Sequence, residues 1–344
     1  MAEKRIGRIL ELDVLRGLAA LAVVLYHYTV RFDEVYGHTP DMQLFFLPGQ
    51  YGVNLFFMIS GFVIFMTLEK THHWMDFLVS RFSRLFPAYW VAVTVTFLIV
   101  LVAGLPGREV SLRDAEVNLS MLQFLVHIPH VDGVYWTLEL ELCFYALMYL
   151  LYVFRQLRNF EIIATIWLFL LAAMHIAHTS HWIRIPDTLA IMLLLDFAQL
   201  FVAGAIYYLV SRDGWSFFRV AILLTCLGFQ YLATDLGATL AMALFMLVFA
   251  LSISGRLAPI AIRPLVYLGT VSYSLYLVHQ NIGYVALRWL YGQGVHPYLG
   301  ILLAMLTVLG IASLITFLIE KPALHWIRAR YKNYRMAQER AVIP

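Results

Sequence analysis

Ten runs of mostly apolar residues follow one another along this chain: Leu12–Val30, Val53–Leu68, Phe86–Ala103, Trp136–Phe154, Ile162–Ala177, Leu189–Val210, Phe217–Leu232, Leu236–Ile253, Leu265–Val278 and Tyr298–Ile319. A helix that crosses a bilayer needs ~17–25 such residues. The succession predicts an all-α fold, a polytopic membrane bundle of about ten transmembrane helices. Composition closes off the soluble alternative. A chain of 344 residues that is 62% hydrophobic and 13% charged has too little polar surface to cover its apolar side chains in water. Met121–Val126 is too short to span and is expected in an external or re-entrant element. Cys143 and Cys226 both lie in apolar runs, which predicts packing residues rather than a disulfide.

Charge sets the orientation. With both termini in the cytoplasm, nineteen Lys and Arg residues fall inside and five fall outside (Arg31, Arg108, Arg113, Arg184 and Arg288). That asymmetry is the positive-inside signature. Lys4, Arg5 and Arg8 ahead of the first run resemble a signal peptide, but the run is too long and no small-residue cleavage site follows. A retained signal-anchor helix is expected. Residues 1–327 form the predicted membrane domain, and 328–344 form a basic cytoplasmic tail expected to lie near anionic lipid.

Charged side chains inside hydrocarbon cost roughly 2.5–3.5 kcal/mol each on the insertion scale, so those present need a reason. "LDVLRGLAALAVVLYH" (12–27) carries three polar groups. Arg16 and His27 are eleven residues apart, which at ~100° per residue returns to nearly one azimuth, and Asp13 lies within about 60° of both. The stripe should face the bundle interior. His27 would sit ~16 Å beyond Arg16, toward the outer side. An imidazole there can take up a proton near neutral pH. The plainer reading is an Asp–Arg pair closing a helix start and an interfacial His.

Three further clusters stand out. In "VSRFSRLFPAYW" (79–90), Arg81 and Arg84 share a helical face before Pro87, a plausible helix start. Paired guanidinium groups suit phosphate, and topogenic charge is the alternative. In "WTLELELCFY" (136–145), Glu141 and Tyr145 share a face. Glu139 points elsewhere and suits a solvated helix N-terminus. In "SYSLYLVHQ" (272–280), Ser272, Tyr276 and His279 share a face, which fits a site or simple packing. The other histidines show no metal-ligand grouping. Trp136, like Trp90 and Trp182, suits an interface anchor.

Taken together these stretches resemble the bacterial acyltransferase-3 family of integral-membrane acyltransferases, over nearly the whole chain. "LDVLRGLAALAVVLYH" is similar to its first-helix signature and "GVNLFFMISGFVI" (52–64) to its second. "RFSRLFPAYW" resembles its Arg-x-x-Arg segment, "WTLELELCFY" its Trp-Ser/Thr-Leu…Glu…Phe-Tyr segment, "SYSLYLVH" its late-helix motif and "EKP" (320–322) its closing segment. Asn54 stands where an acidic residue is frequent, and Asn281 where Pro is frequent.

The resemblance implies an acyl-CoA-dependent O-acyltransferase of the bacterial plasma (inner) membrane, multi-pass. It would carry an acyl group from cytoplasmic acyl-CoA to a hydroxyl of an extracytoplasmic glycan or glycolipid, such as exopolysaccharide or lipopolysaccharide. From the family alone the donor is acetyl-CoA, a substrate rather than a bound cofactor. By the same resemblance His27 and Glu141 are catalytic, with Glu141 orienting or charge-balancing His27. Asp13, Arg16, Ser60, Arg81, Arg84, Trp136, Tyr145, Tyr276 and His279 bind substrate. No metal is expected. Expected partners are acyl-CoA, the glycan acceptor, the bilayer and envelope-glycan assembly proteins, and not nucleic acid. Direct attack on the thioester and a transient acyl-His are both open. A flippase for a lipid-linked glycan, or a non-catalytic assembly subunit, would use the same stripe differently. A flippase would favour broken helices or matching halves, and the sequence shows neither.

Overall fold

The computed structural model describes residues 9–38 and 42–342, with side chains described through residue 338. Lys4, Arg5 and Arg8 lie outside the described residues. Among those described there is no strand, and the fold is all-helical. In chain order the helices are α1 (Leu10–Tyr26), α2 (Phe32–Tyr36), α3 (Gly52–Glu69), α4 (Trp74–Ala103), α5 (Leu112–Asn118), α6 (Trp136–Val153), α7 (Phe160–Thr179), α8 (Asp187–Leu193), α9 (Ala198–Asp213), α10 (Phe217–Ala233), α11 (Leu236–Ile253), α12 (Arg263–Val278), α13 (Gln280–Gly292), α14 (Pro297–Ile315) and α15 (Lys321–Val342). A π-helical turn, His27–Arg31, joins α1 to α2, and another, Thr316–Glu320, joins α14 to α15.

Seven of the described segments are long and apolar enough to cross a membrane: Leu47–Glu69, Trp74–Ala103, Gly133–Val153, Leu157–Thr179, Asp187–Asp213, Leu236–Ile253 and Pro297–Gln338. Seven of the predicted runs fall on them. The other three fall on α1, α10 and α12, which have 17, 17 and 16 residues. Of these α10 is apolar but short. The other two are shortened for a reason of their own. α1 gives way to its π-helical turn at His27, and α12 stops at His279.

The proline expected to start a helix does not. Pro87 lies inside α4, which begins at Trp74 behind a reciprocal cap. There Met75 N–H donates to His73 Nδ1 (3.2 Å), and His73 N–H donates to Asp76 Oδ2 (3.2 Å). Proline costs the helix the hydrogen bond to the Ser83 carbonyl one turn back, a loss that membrane helices tolerate. Tyr273 OH donates to the carbonyl of Leu85, two residues before the proline, at 2.9 Å.

The chain divides into two compact units. The first comprises Met1–Val23, Leu47–Lys70 and Trp136–Thr270. Its core is the α3–α9 contact. A Cβ at Gly61 would meet the backbone of Phe201, and one at Gly204 the backbone of Met58, so the two helices pack main chain against main chain. Gly17 of α1 and Gly269 of α12 repeat this device. Phe201 stacks on Phe144 (4.4 Å between centroids), which brings α6 to the same core. At one end, Arg212 pairs with Glu69, and Arg219 bridges Glu161 (2.5 Å) and Asp213 (3.0 Å).

The second unit comprises Val24–Phe46, Thr71–Tyr135 and Val271–Pro344. It contains the π-helical turn, α2, α4, α5, α13, α14 and α15. Its core includes the buried rings of Tyr28, Phe32, Tyr89, Tyr135 and Tyr284.

Candidate functional site

The sequence-predicted residues divide between the units. In the second unit, His27 opens the π-helical turn, a local widening that recurs at functional sites. His279 occupies the break between α12 and α13 and is fully buried. The two rings meet edge to face with centroids 4.8 Å apart.

The hydrogen bonds fix the tautomers. His279 Nδ1 lies 2.8 Å from the carbonyl oxygen of Tyr276. A carbonyl only accepts, so this nitrogen carries the proton. In the neutral ring Nε2 then accepts, and it lies 3.3 Å from His27 Nδ1, which therefore donates. The lone pair of a neutral His27 is left on Nε2. Within this unit His279 is the side chain that meets His27 Nδ1.

The helix break is itself braced. Tyr28 OH donates to the carbonyl of His279 (2.7 Å), and Gly283 leaves room for that phenol. Tyr135 OH donates to the carbonyl of Leu277 at 3.2 Å. Tyr276, predicted with the site, directs its hydroxyl to the carbonyl of Val134 at 3.4 Å. Asp132 accepts the amide protons of Asn281 (2.9 Å) and Val134 (3.3 Å). The carbonyl of His279 also accepts its helical partner, Gly283 N–H (3.1 Å), so the chain stays nearly helical through the interruption while side chains from other elements add to its hydrogen bonds.

Asp132 is a loop residue, and burial pushes its carboxyl up to about 7 against the two amide hydrogen bonds. No motif pointed to it, because a lone acid in a loop has no helical partner to give it away.

Arg81 and Arg84 sit on α4 in this same unit. Arg84 pairs with the buried carboxylate of Glu320 and lies over the ring of Tyr273 (5.5 Å). Glu320 also accepts from Ser274 Oγ (3.0 Å) and Thr316 Oγ1 (3.4 Å). It belongs to "EKP", the closing segment, so its signal was in the sequence without a role attached. Arg81 donates to Ser80 Oγ at 3.1 Å.

The first unit holds the remaining predicted residues. Glu141 Oε1 accepts from Ser60 Oγ (2.7 Å) and from Tyr145 OH (2.5 Å), uniting three of them. Trp136 packs on Phe197, with centroids 5.4 Å apart. Asp13 and Arg16 approach to 3.9 Å one turn apart. Glu139, expected at a solvated helix start, is instead buried. α6 follows directly on a short helical turn, Gly133–Tyr135, so Glu139 lies more than one turn inside a continuous helical segment. Among the described residues no group of three His, Cys, Asp or Glu side chains is arranged to hold a metal.

Seven described segments long and apolar enough to cross a membrane define a class, the multi-pass membrane proteins. Sequence comparison narrows it. The family model described as an acyltransferase domain matches residues 9–318, and the chain belongs to the acyltransferase-3 family. It is 27% identical over 307 residues to the exopolysaccharide production protein ExoZ of Rhizobium meliloti (strain 1021), covering 83% of this chain and 92% of that one. It is 30% identical over 172 residues to nodulation protein 10 of Rhizobium leguminosarum bv. viciae, covering 42% and 44%. ORF330 of Acidianus two-tailed virus, which carries the name of an acetyltransferase, is 26% identical over 147 residues, 42% of each chain. No solved structure matches.

Proposed function

We propose that the protein is an acyl-CoA-dependent O-acyltransferase that modifies an extracytoplasmic polysaccharide, with acetyl as the group transferred. The observation that carries this reading is the chain from the Tyr276 carbonyl through His279 to His27, inside a domain of the acyltransferase family. It prepares one nitrogen, His27 Nε2, to receive a proton.

In this reading His27 Nε2 takes the proton of an acceptor hydroxyl as that oxygen attacks the thioester carbonyl. The tetrahedral intermediate collapses by breaking the carbon–sulfur bond. The CoA thiolate leaves and takes the proton from the imidazolium, so the ring returns to its starting state. His279 accepts from Nδ1 throughout and keeps the ring in one orientation, as the buried acid does in hydrolase triads. Arg81 and Arg84 contact the donor phosphates on the cytoplasmic side. Asp13, Arg16, Ser60, Trp136 and Tyr145 belong to the substrate-binding surface of the first unit, which also holds Glu141, the acid assigned to catalysis. The enzyme sits in the bacterial inner membrane with ten spans and both termini in the cytoplasm. The ExoZ relative supports a polysaccharide acceptor by its name, an exopolysaccharide production protein.

The break between α12 and α13 is a feature that the sequence reading tied to transporters. Tyr28, Tyr135 and Asp132 brace the backbone around it with hydrogen bonds from other elements, which suits a fixed site better than a moving path. The deciding experiment is mass spectrometry of envelope and secreted polysaccharide from cells with and without the gene. Ester-linked acyl groups should disappear without it and return with the wild-type gene but not with His27→Ala. Unacylated polymer accumulating on the inner face would support transport instead.

A further inference from the structure

The C-terminal helix has a more specific position than a tail lying along lipid. α15 packs against the N-terminal turns of α4 within the second unit. Arg328 donates from Nε to Ser83 Oγ (3.3 Å) and from Nη2 to Ser80 Oγ (3.2 Å). Arg81 reaches that same Ser80 hydroxyl at 3.1 Å. Two guanidinium groups from two helices thus converge on one oxygen.

Arg328 also lies within electrostatic reach of both Arg81 and Arg84. The carboxylates nearby are committed elsewhere. Glu320 holds Arg84, and Asp76 holds Arg335 (3.0 Å) and Tyr331 OH (2.8 Å). Among the described residues, Arg81, Arg84, Arg328, Lys332 and Arg335 thus gather at the α4–α15 contact beside the carboxylates of Glu320 and Asp76. Like charges held this close favour an anion among them. Beside them opens a groove of about 500 Å3, lined by Asp76, Ser80, Arg328, Tyr331, Lys332 and Arg335 among others. That is within the size range of a small-molecule site, and planar guanidinium forks suit phosphate oxygens.

We infer that Arg328 and Lys332 of α15, together with Arg81 of α4, receive the phosphorylated nucleotide head of the thioester donor, making α15 a donor-binding helix. The inference rests on the acyl-CoA reading above and adds to it a second helix. A free nucleotide and an anionic lipid headgroup offer the same phosphate chemistry, and the nucleotide is favoured because the site is an indented groove with a tyrosine at its wall.

The test uses full-length protein in nanodiscs of purely zwitterionic lipid. Binding of CoA, adenosine 3′,5′-bisphosphate and pantetheine is measured by calorimetry for wild type, Arg328→Gln and Lys332→Gln. Lys332 is exposed, so its variant guards against a folding defect in the other. Both variants should weaken CoA and the bisphosphate about tenfold or more and leave pantetheine unchanged, with thermal unfolding as in wild type. Wild-type affinity for CoA in both variants overturns the role of α15 and leaves the donor assignment standing. No CoA binding by wild type overturns both. A parallel series in discs containing phosphatidylglycerol separates the sources. If the variants lose only bound phosphatidylglycerol, the groove is a lipid site and the inference fails.

Discussion

A histidine becomes a directed base only when something holds its other nitrogen, and here the holder is another histidine. Replacing His27 by Ala should lower kcat by about 10³-fold, within the 10²–10⁴ range for general-base catalysis. Replacing His279 by Ala should cost about 10–100-fold, as loss of an orienting partner does. His279→Gln, which keeps an acceptor, should recover part of it. The KM for CoA should not move in either His279 variant. Initial-rate kinetics on purified protein, normalised to folded amount, checks all three. Asp132 offers a pH-dependent prediction. Its folded carboxyl titrates at about 7, above the ordinary carboxylate range, so the folded state holds that proton more tightly than the unfolded one. Its contribution to stability is full below pH ~4, falls as pH rises from there toward 7, and is level above. The upper bound on the loss is roughly 4 kcal/mol. Asp132→Asn should flatten that slope in thermal unfolding between pH 5 and 8. The sequence made some of these residues visible and not others. His27, His279, Tyr276, Ser60, Glu141 and Tyr145 all lay in recognisable stretches. Asp132 did not, because its importance comes from burial under a loop. That His279 would pair with His27 was equally hidden, since a contact across 252 positions leaves no local pattern.

At the scale of the element, small residues decide what can approach. The α3–α9 contact requires glycine at 61 and 204, since a Cβ at either would overlap the facing backbone. Gly204→Leu should force the helices apart and destabilise the first unit by at least the 1–3 kcal/mol of an overpacked core. The expected sign is a lower unfolding temperature and reduced membrane abundance, measured by thermal shift and by immunoblot of membranes. Gly228, whose Cβ would meet nothing, is the control, and Gly228→Ala should change neither. Hydropathy located the long helices well, because a bilayer selects for length and polarity directly. It was a poorer guide where one helix is interrupted by contacts from another. Nothing between Arg263 and Gly292 announces a break at His279, apart from Pro264 near the start and Gly283 four residues beyond it. The break depends on Tyr28, Tyr135 and Asp132, which are far away in sequence. Pro87 misled in the opposite direction. The helix runs through it and gives up only the hydrogen bond that an N–H at position 87 would have made to Ser83.

For the whole molecule the question is which face each substrate meets. The family model matches residues 9–318, and the nineteen-to-five division of basic residues predicts both ends inside. On that predicted topology Arg81, Arg84 and the basic residues of α15 face the cytoplasm, where acyl-CoA is made, and His27 lies near the outer end of the first apolar run. A nucleotide carrying several phosphates cannot cross hydrocarbon, whereas the pantetheine arm is thin enough to reach inward from a bound head. Acyl transfer across the membrane then needs no outward movement of free acyl-CoA. Sealed vesicles of known orientation test this directly. With acyl-CoA confined to the cytoplasmic face and a membrane-impermeant polysaccharide on the other, ester should appear on the outer polymer while free CoA accumulates inside. Single cysteines at Glu109 and Lys332, in protein lacking Cys143 and Cys226, should label from opposite faces in the same vesicles. If ester forms only when both substrates share the cytoplasmic face, His27 acts on an inward-facing acceptor. If the two cysteines also label from one side, the charge division has been assigned to the wrong topology.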